Sequence, residues 1–210
     1  MPPFGGVALK VALLTLCLIP ACELVPSSGS QRRPEQVGLQ PGDVPTDVRR
    51  CPASGPIDRY LGDLKGKAPG AYRTVQDAWH QLQGEGATGA AVTVFGALEG
   101  ACRAELGGAP GRSAASLVAV FRDQRAAAAA YQRGILGFPT PAPGQQVPGL
   151  VQGVATTLSE NAWAVQRQVD GRALYVAWFQ ERAFAVFLVS TDLDLSESQR
   201  AAAAVEGRTH

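Results

Sequence analysis

AWAVQRQVDGRALYVAWFQERAFAVFLVS, Ala162 to Ser190, is the stretch that decides how this chain folds. AWAVQRQV and RALYVAWF flank Asp170-Gly171, and an Asp-Gly pair between two apolar runs is a strong hairpin signal, because both turn positions take positive φ. AFAVFLVS follows after Gln180-Glu181-Arg182, so the segment predicts a three-stranded meander. The first strand alternates, with Trp163, Val165 and Val169 on one side and Gln166 and Gln168 on the other. The next two are apolar on both sides, as strands covered on both faces must be.

Outward from the meander, S-E-S-Q at Ser196 to Gln199 reads as a capping box opening AAAAVE, a last helix that Gly207 closes. Upstream, the proline-rich loop FPTPAPGQQVPG (138–149) excludes regular structure. Before it, Ser116 to Phe121 predicts a strand, followed by Asp123 as the cap of QRAAAAAYQR, which Gly134 ends. Leu98 to Leu106 fits helix or strand equally. Ala90 to Phe95 predicts a strand. Thr74 is a plausible N-cap for a helix with Val75, Ala78, Trp79 and Leu82 on one stripe. Helices packed on an antiparallel sheet make an α+β domain, with the C-terminal meander as its centre. From strand to last helix, roughly residues 110 to 206, this order loosely resembles extracellular sensor-like and lipid-anchored domains of actinobacteria. That resemblance carries no functional motif and transfers no site.

A chain of 210 residues with 46% apolar content supports one core. Sixteen Arg and three Lys meet eighteen acidic residues, for a net charge of +1. Nucleic-acid binding rests on an excess of Lys and Arg facing phosphates, and neither such an excess nor a basic run exists here. Thirteen of the fourteen aromatic residues lie at Tyr60 or later, whereas Glu23 to Pro56 holds six prolines and no aromatic ring. The expectation is a disordered tether over 22–56 and a single α+β domain over 57–210.

The amino terminus has a different character. Lys10 precedes Val11 to Ile19, an apolar run with one polar interruption at Thr15, and Pro20-Ala21 ends it. This is a signal-peptide layout, too short to span hydrocarbon. Ile19-Pro20-Ala21-Cys22 resembles the bacterial lipobox, an aliphatic residue, two small residues and an obligatory cysteine, with Pro20 where Ala, Ser or Thr is usual. By that resemblance the signal peptide is 1–21, Cys22 receives a diacylglyceryl thioether, and its freed amino group is open to acylation with a chain such as palmitate. A single chain anchors marginally and two or more hold stably. A product beginning at Cys22 carries 18 positive and 18 negative charges. It would sit on the outer face of the cell membrane. Ordinary secretion with cleavage after Ala21 is the alternative. Cys17 would leave with the signal. Cys51 and Cys102 remain, and an even pair in an exported chain is most simply a disulfide.

Several motifs tempt and fail. Gly84-Glu85-Gly86-Ala87-Thr88-Gly89 spells G-x-G-x-x-G, but a dinucleotide site needs a strand before and a helix after, and here the order is reversed. Gly62 to Ala68 is one residue short of a phosphate loop and lacks its Ser or Thr; both segments read as loops. Histidine occurs only at His80 and His210, and no G-x-S-x-G accompanies them, so the chain offers neither a serine triad nor a zinc set. No cofactor and no metal is expected. Trp163, Tyr175, Trp178 and Phe179 lie on neighbouring strands, and such rings line pockets for apolar or saccharide ligands as well as cores. The reading is a cell-envelope lipoprotein whose domain binds an unidentified envelope ligand or protein without chemistry, with Trp163, Tyr175 and Trp178 as candidate ligand residues. The alternatives are an exported hydrolase using carboxylates alone, with Glu160, Asp192 and Asp194 as first suspects, and a structural or inhibitory partner of another envelope protein.

Overall fold

The computed structural model describes residues 32–210. The meander is there: β6 (Asn161–Val169), β7 (Arg172–Glu181) and β8 (Phe184–Thr191) pair antiparallel in sequence order. Asp170 and Gly171 turn the first hairpin with φ of 50° and 76°. The second turn is equally short, with Arg182 at φ 51°.

Around this meander an eight-stranded antiparallel sheet assembles in the order β1-β3-β4-β8-β7-β6-β5, with β2 also paired to β3. Its remaining strands are β1 (Arg49–Arg50), β2 (Gly55–Pro56), β3 (Ala87–Gly96), β4 (Ser113–Phe121) and β5 (Leu150–Gln152). β8 returns to pair with β4, so β4, β8 and β7 occupy the middle of the sheet. This explains why the sequence of β7 and β8 is apolar on both faces. Trp178 and Phe187 enter one core, while Phe179 and Val186, next along the same strands, enter the other.

Helices cover both faces. The first core lies under α2 (Ile57–Leu64), α3 (Pro69–Gly84) and α4 (Gln124–Arg133). On the other face lie α1 (Pro34–Val37) and α5 (Leu195–Glu206). The alanine runs of α4 and α5 bring these helices close to the sheet, with Ala127, Ala130, Ala201 and Ala202 fully buried. α4 is capped by Asp123, whose carboxylate accepts from the Ala126 N–H at 2.8 Å, and Gly134 follows it at φ 82°. Both ends match the sequence reading.

Elsewhere the structure corrects that reading. Over residues 32–56, the segment expected to be a disordered tether is ordered. It forms α1, a 3-10 turn at Pro41–Asp43, β1 and β2, and it buries Val37, Leu39, Val44 and Val48 against the sheet. The domain therefore begins near residue 32 rather than 57. Prolines do not oppose this order, because Pro34 and Pro41 start helical turns, where the missing N–H costs nothing. The segment is fastened at two points. Leu39 N–H donates to Ser116 Oγ at 3.1 Å, and the Arg208 guanidinium bonds the carbonyls of Val37 and Gly38 and the carboxylate of Asp43.

Three boundaries also move. α3 begins at Pro69, not after Thr74; Thr74 lies inside the helix, its hydroxyl donating back to the Gly70 carbonyl at 3.2 Å. The N-cap of α5 lies two residues before the predicted one, at Asp194, whose N–H donates to Glu197 Oε2 at 2.9 Å. Ser198 is instead buried, 2.7 Å from Ser190 Oγ. Residues 62–64 of the segment read as a loop end α2, whose Ile57, Tyr60 and Leu64 are spaced as one apolar stripe. The ambiguous 98–106 segment holds a 3-10 helix, Glu99–Arg103.

That 3-10 helix carries Cys102, which forms a disulfide with Cys51. The bond closes a loop across 51 residues and fits a domain that folds in an oxidising compartment, as an exported protein does. No helix among the described residues is long and apolar enough to cross a membrane. The expected signal peptide over 1–21, Cys17 and Cys22 all lie outside the described residues.

A candidate apolar binding cavity

The sheet runs out of helical cover at its β5–β6 end. Past α4, the chain spends residues 134–149 on the proline-rich loop, and this loop takes the place of a helix over β6 and β7. Between loop and sheet lies a cavity of about 650 Å³. Its wall is Phe138, Pro139 and Pro141 on the loop side and Trp163, Val165 and Val176 on the sheet side. A volume in this range suits a small lipid or drug-sized molecule.

Two glycines set the position of the loop. Gly134 and Gly149 have φ of 82° and 75°, and a Cβ at either would collide with backbone, that of Phe138 and of Gln166 respectively. Only glycine allows these approaches. In between, the Tyr131 carbonyl accepts from both Trp178 Nε1, at 3.0 Å, and the Thr140 hydroxyl, tying loop and helix end to the sheet. Phe138 then reaches inward, its ring centroid 6.2 Å from Trp163 and 5.8 Å from Phe187.

The three candidate ligand residues are separated by this geometry. Trp163 and Trp178 are register partners on β6 and β7 and share the loop face. Trp163 lines the cavity, whereas Trp178 is wholly buried beneath Tyr131, with ring centroids 6.4 Å apart. Tyr175 falls on the opposite face, in the core under α5, because adjacent strand residues point to opposite sides. Burial pushes its hydroxyl up to about 12. Of the three, only Trp163 faces this cavity. Phe179, on the α5 side, is fully buried.

Trp163 has a second feature, since its Nε1 is buried without a hydrogen-bond partner among the described residues. The same side chain also borders a neighbouring cavity of about 300 Å³, more polar, with Glu160, Asn161 and Gln152 in its lining.

The carboxylates do not converge. Asp192 bonds Arg172 at 3.1 Å and the Ala173 N–H at 3.2 Å, fastening β8 to β7. Asp194 caps α5. Glu160 is exposed at the start of β6. His80 is exposed on α3, and His210 pairs with Glu206 at 3.0 Å. Among the described residues, no three of His, Cys, Asp and Glu gather closely enough to hold a metal ion.

Sequence reasoning missed the loop as a functional element. Its one legible signal was composition, since four prolines and three apolar residues in 138–149 mark a segment that is irregular yet not solvated throughout. No family model, no curated protein and no solved structure matches the chain.

Proposed function

We propose that this chain is an exported, membrane-tethered binding protein whose domain holds an apolar ligand under the proline-rich loop. The observation that carries the reading is the cavity itself. It is about 650 Å³, walled by hydrocarbon and aromatic rings, and a soluble domain has no structural use for an unfilled apolar space of that size. The tether rests on the lipobox-like Ile19-Pro20-Ala21-Cys22, and the disulfide supports export. Cys22 lies ten residues before Arg32 in the sequence, a separation that a chain cannot stretch beyond about 35 Å. The anchor would hold the domain near the lipid surface.

Nile red, a neutral apolar dye, tests the cavity. The full chain is expected to bind it at one equivalent with enhanced fluorescence, and Leu174→Trp, which fills the cavity from its half-buried edge, to abolish that signal. Equal enhancement by both proteins would contradict the reading. Membrane fractionation and N-terminal mass test the anchor: the wild type is expected in the membrane fraction with an acylated Cys22, and Cys22→Ser is not. A wild type without lipid would overturn it.

A further inference from the structure

The cavity has a direction. Along β6 the residues that face it pass from solvent to core in two-residue steps: Val169 is 45% exposed, Arg167 is exposed, Val165 is 8% exposed and Trp163 is 2% exposed. β7 repeats the gradient in register, Leu174 opposite Arg167 being half-buried and Val176 opposite Val165 buried. The mouth is therefore at Arg167 and the inner end at Trp163, four residues and about 13 Å apart along an extended strand.

Arg167 is the one charged side chain among the described residues that line this cavity. Its side chain makes neither an ion pair nor a hydrogen bond with any described residue, whereas Arg172, on the neighbouring strand, is engaged with Asp192. A planar fork of five donors, held without a partner at the rim of a hydrocarbon-lined hole, is suited to a carboxylate or phosphate. Among the described residues that line this cavity, those at its inner end, Trp163 and Phe138 among them, carry no charge.

Resting on the apolar-ligand reading above, we propose that the ligand is a single-chain amphiphile with an anionic head. Its hydrocarbon chain lies along β6 and β7 beneath the proline loop, and its head pairs with Arg167 at the mouth. Each methylene taken from water adds to the affinity, which places most of it in the chain and leaves Arg167 to choose the head and fix the direction of insertion.

The test uses the full chain and two fluorescent probes of identical chain, cis-parinaric acid and its methyl ester. The wild type is expected to bind the acid more tightly than the ester. Arg167→Gln, an exposed substitution that leaves the core untouched, is expected to weaken the acid about tenfold and to leave the ester unchanged. Competition then separates the two sources of the head. Displacement of the probe by lysophosphatidic acid as well as by palmitic acid shows that phosphate and carboxylate are both accepted, and displacement by palmitic acid alone restricts the site to carboxylates. If Arg167→Gln binds the acid as well as the wild type does, or the ester binds as tightly as the acid, the anionic head is wrong while the apolar cavity stands. If neither probe binds a protein that still takes up Nile red, the single-chain ligand is wrong. If Nile red fails too, the cavity reading itself falls.

Discussion

Trp163 and Trp178 are the same residue type, in register on adjacent strands and almost equally buried, yet their indole nitrogens fare differently. Trp178 Nε1 donates to the Tyr131 carbonyl at 3.0 Å; Trp163 Nε1 has no partner among the described residues. A buried donor left unpaired costs free energy, and its removal returns some of that cost, whereas cutting a satisfied bond strands the carbonyl at the other end. Phenylalanine removes similar volume at both positions, so the difference between the two variants isolates the hydrogen bond. Trp178→Phe is expected to lower the unfolding free energy by about 1 kcal/mol more than Trp163→Phe, read from urea denaturation. Equal losses would show that Trp163 has an acceptor after all. For the cavity, this means Trp163 is held by packing alone and its face is available to a ligand.

Among the elements, the segment from Arg32 to Val48 departs furthest from expectation. Prolines and the lack of aromatic rings suggested a solvated tether, and composition is a fair guide to whether a segment can form a core by itself. This segment does not need to. It adds four aliphatic side chains to a core already made by α5 and the sheet, and it is latched by Ser116 and Arg208, which are distant in sequence. No local pattern announces such long-range latches. Leu39→Ala is expected to destabilise the protein by about 2–4 kcal/mol in denaturant unfolding, as for a fully buried leucine; a loss below about 0.5 kcal/mol would return the segment to a tether. The meander was legible for the opposite reason, because Asp170-Gly171 and the alternation of β6 are local and the doubly apolar β7 and β8 declare their central place. Element ends were less legible. α3 starts at Pro69 and α5 is capped by Asp194, although Thr74 and Ser196 carry the local sequence signal of a cap. The cavity was half visible. Trp163 was identifiable as a pocket residue, but its separation from Tyr175 follows from strand register, and Arg167 gains meaning only once the loop is known to lie over it.

At the scale of the whole molecule, a sheet clothed on both faces buries several tyrosines, and this sets an alkaline limit. Burial pushes Tyr60, Tyr131 and Tyr175 up from 10 to about 12, with Asp63 adding to the shift at Tyr60. Below pH 10 these hydroxyls are neutral whether the chain is folded or not, and their contribution is fully present. Between pH 10 and about 12 the unfolded chain releases protons that the folded one keeps, so stability falls with rising pH. The denaturation midpoint is expected to drop across that window, less steeply for Tyr60→Phe; a flat profile would show these hydroxyls to be solvated. On the face that α4 covers, a loop pinned by two glycines takes over from helix above β6 and the start of β7, where it bridges an apolar hollow with a single arginine at its mouth. Native mass spectrometry of the full chain, purified without detergent exchange from the cells that make it, tests this most directly. The account predicts a non-covalent adduct of a few hundred daltons that disappears on denaturation and is missing from Leu174→Trp. The bare polypeptide mass, identical for both proteins and unchanged after incubation with palmitic acid, would contradict it.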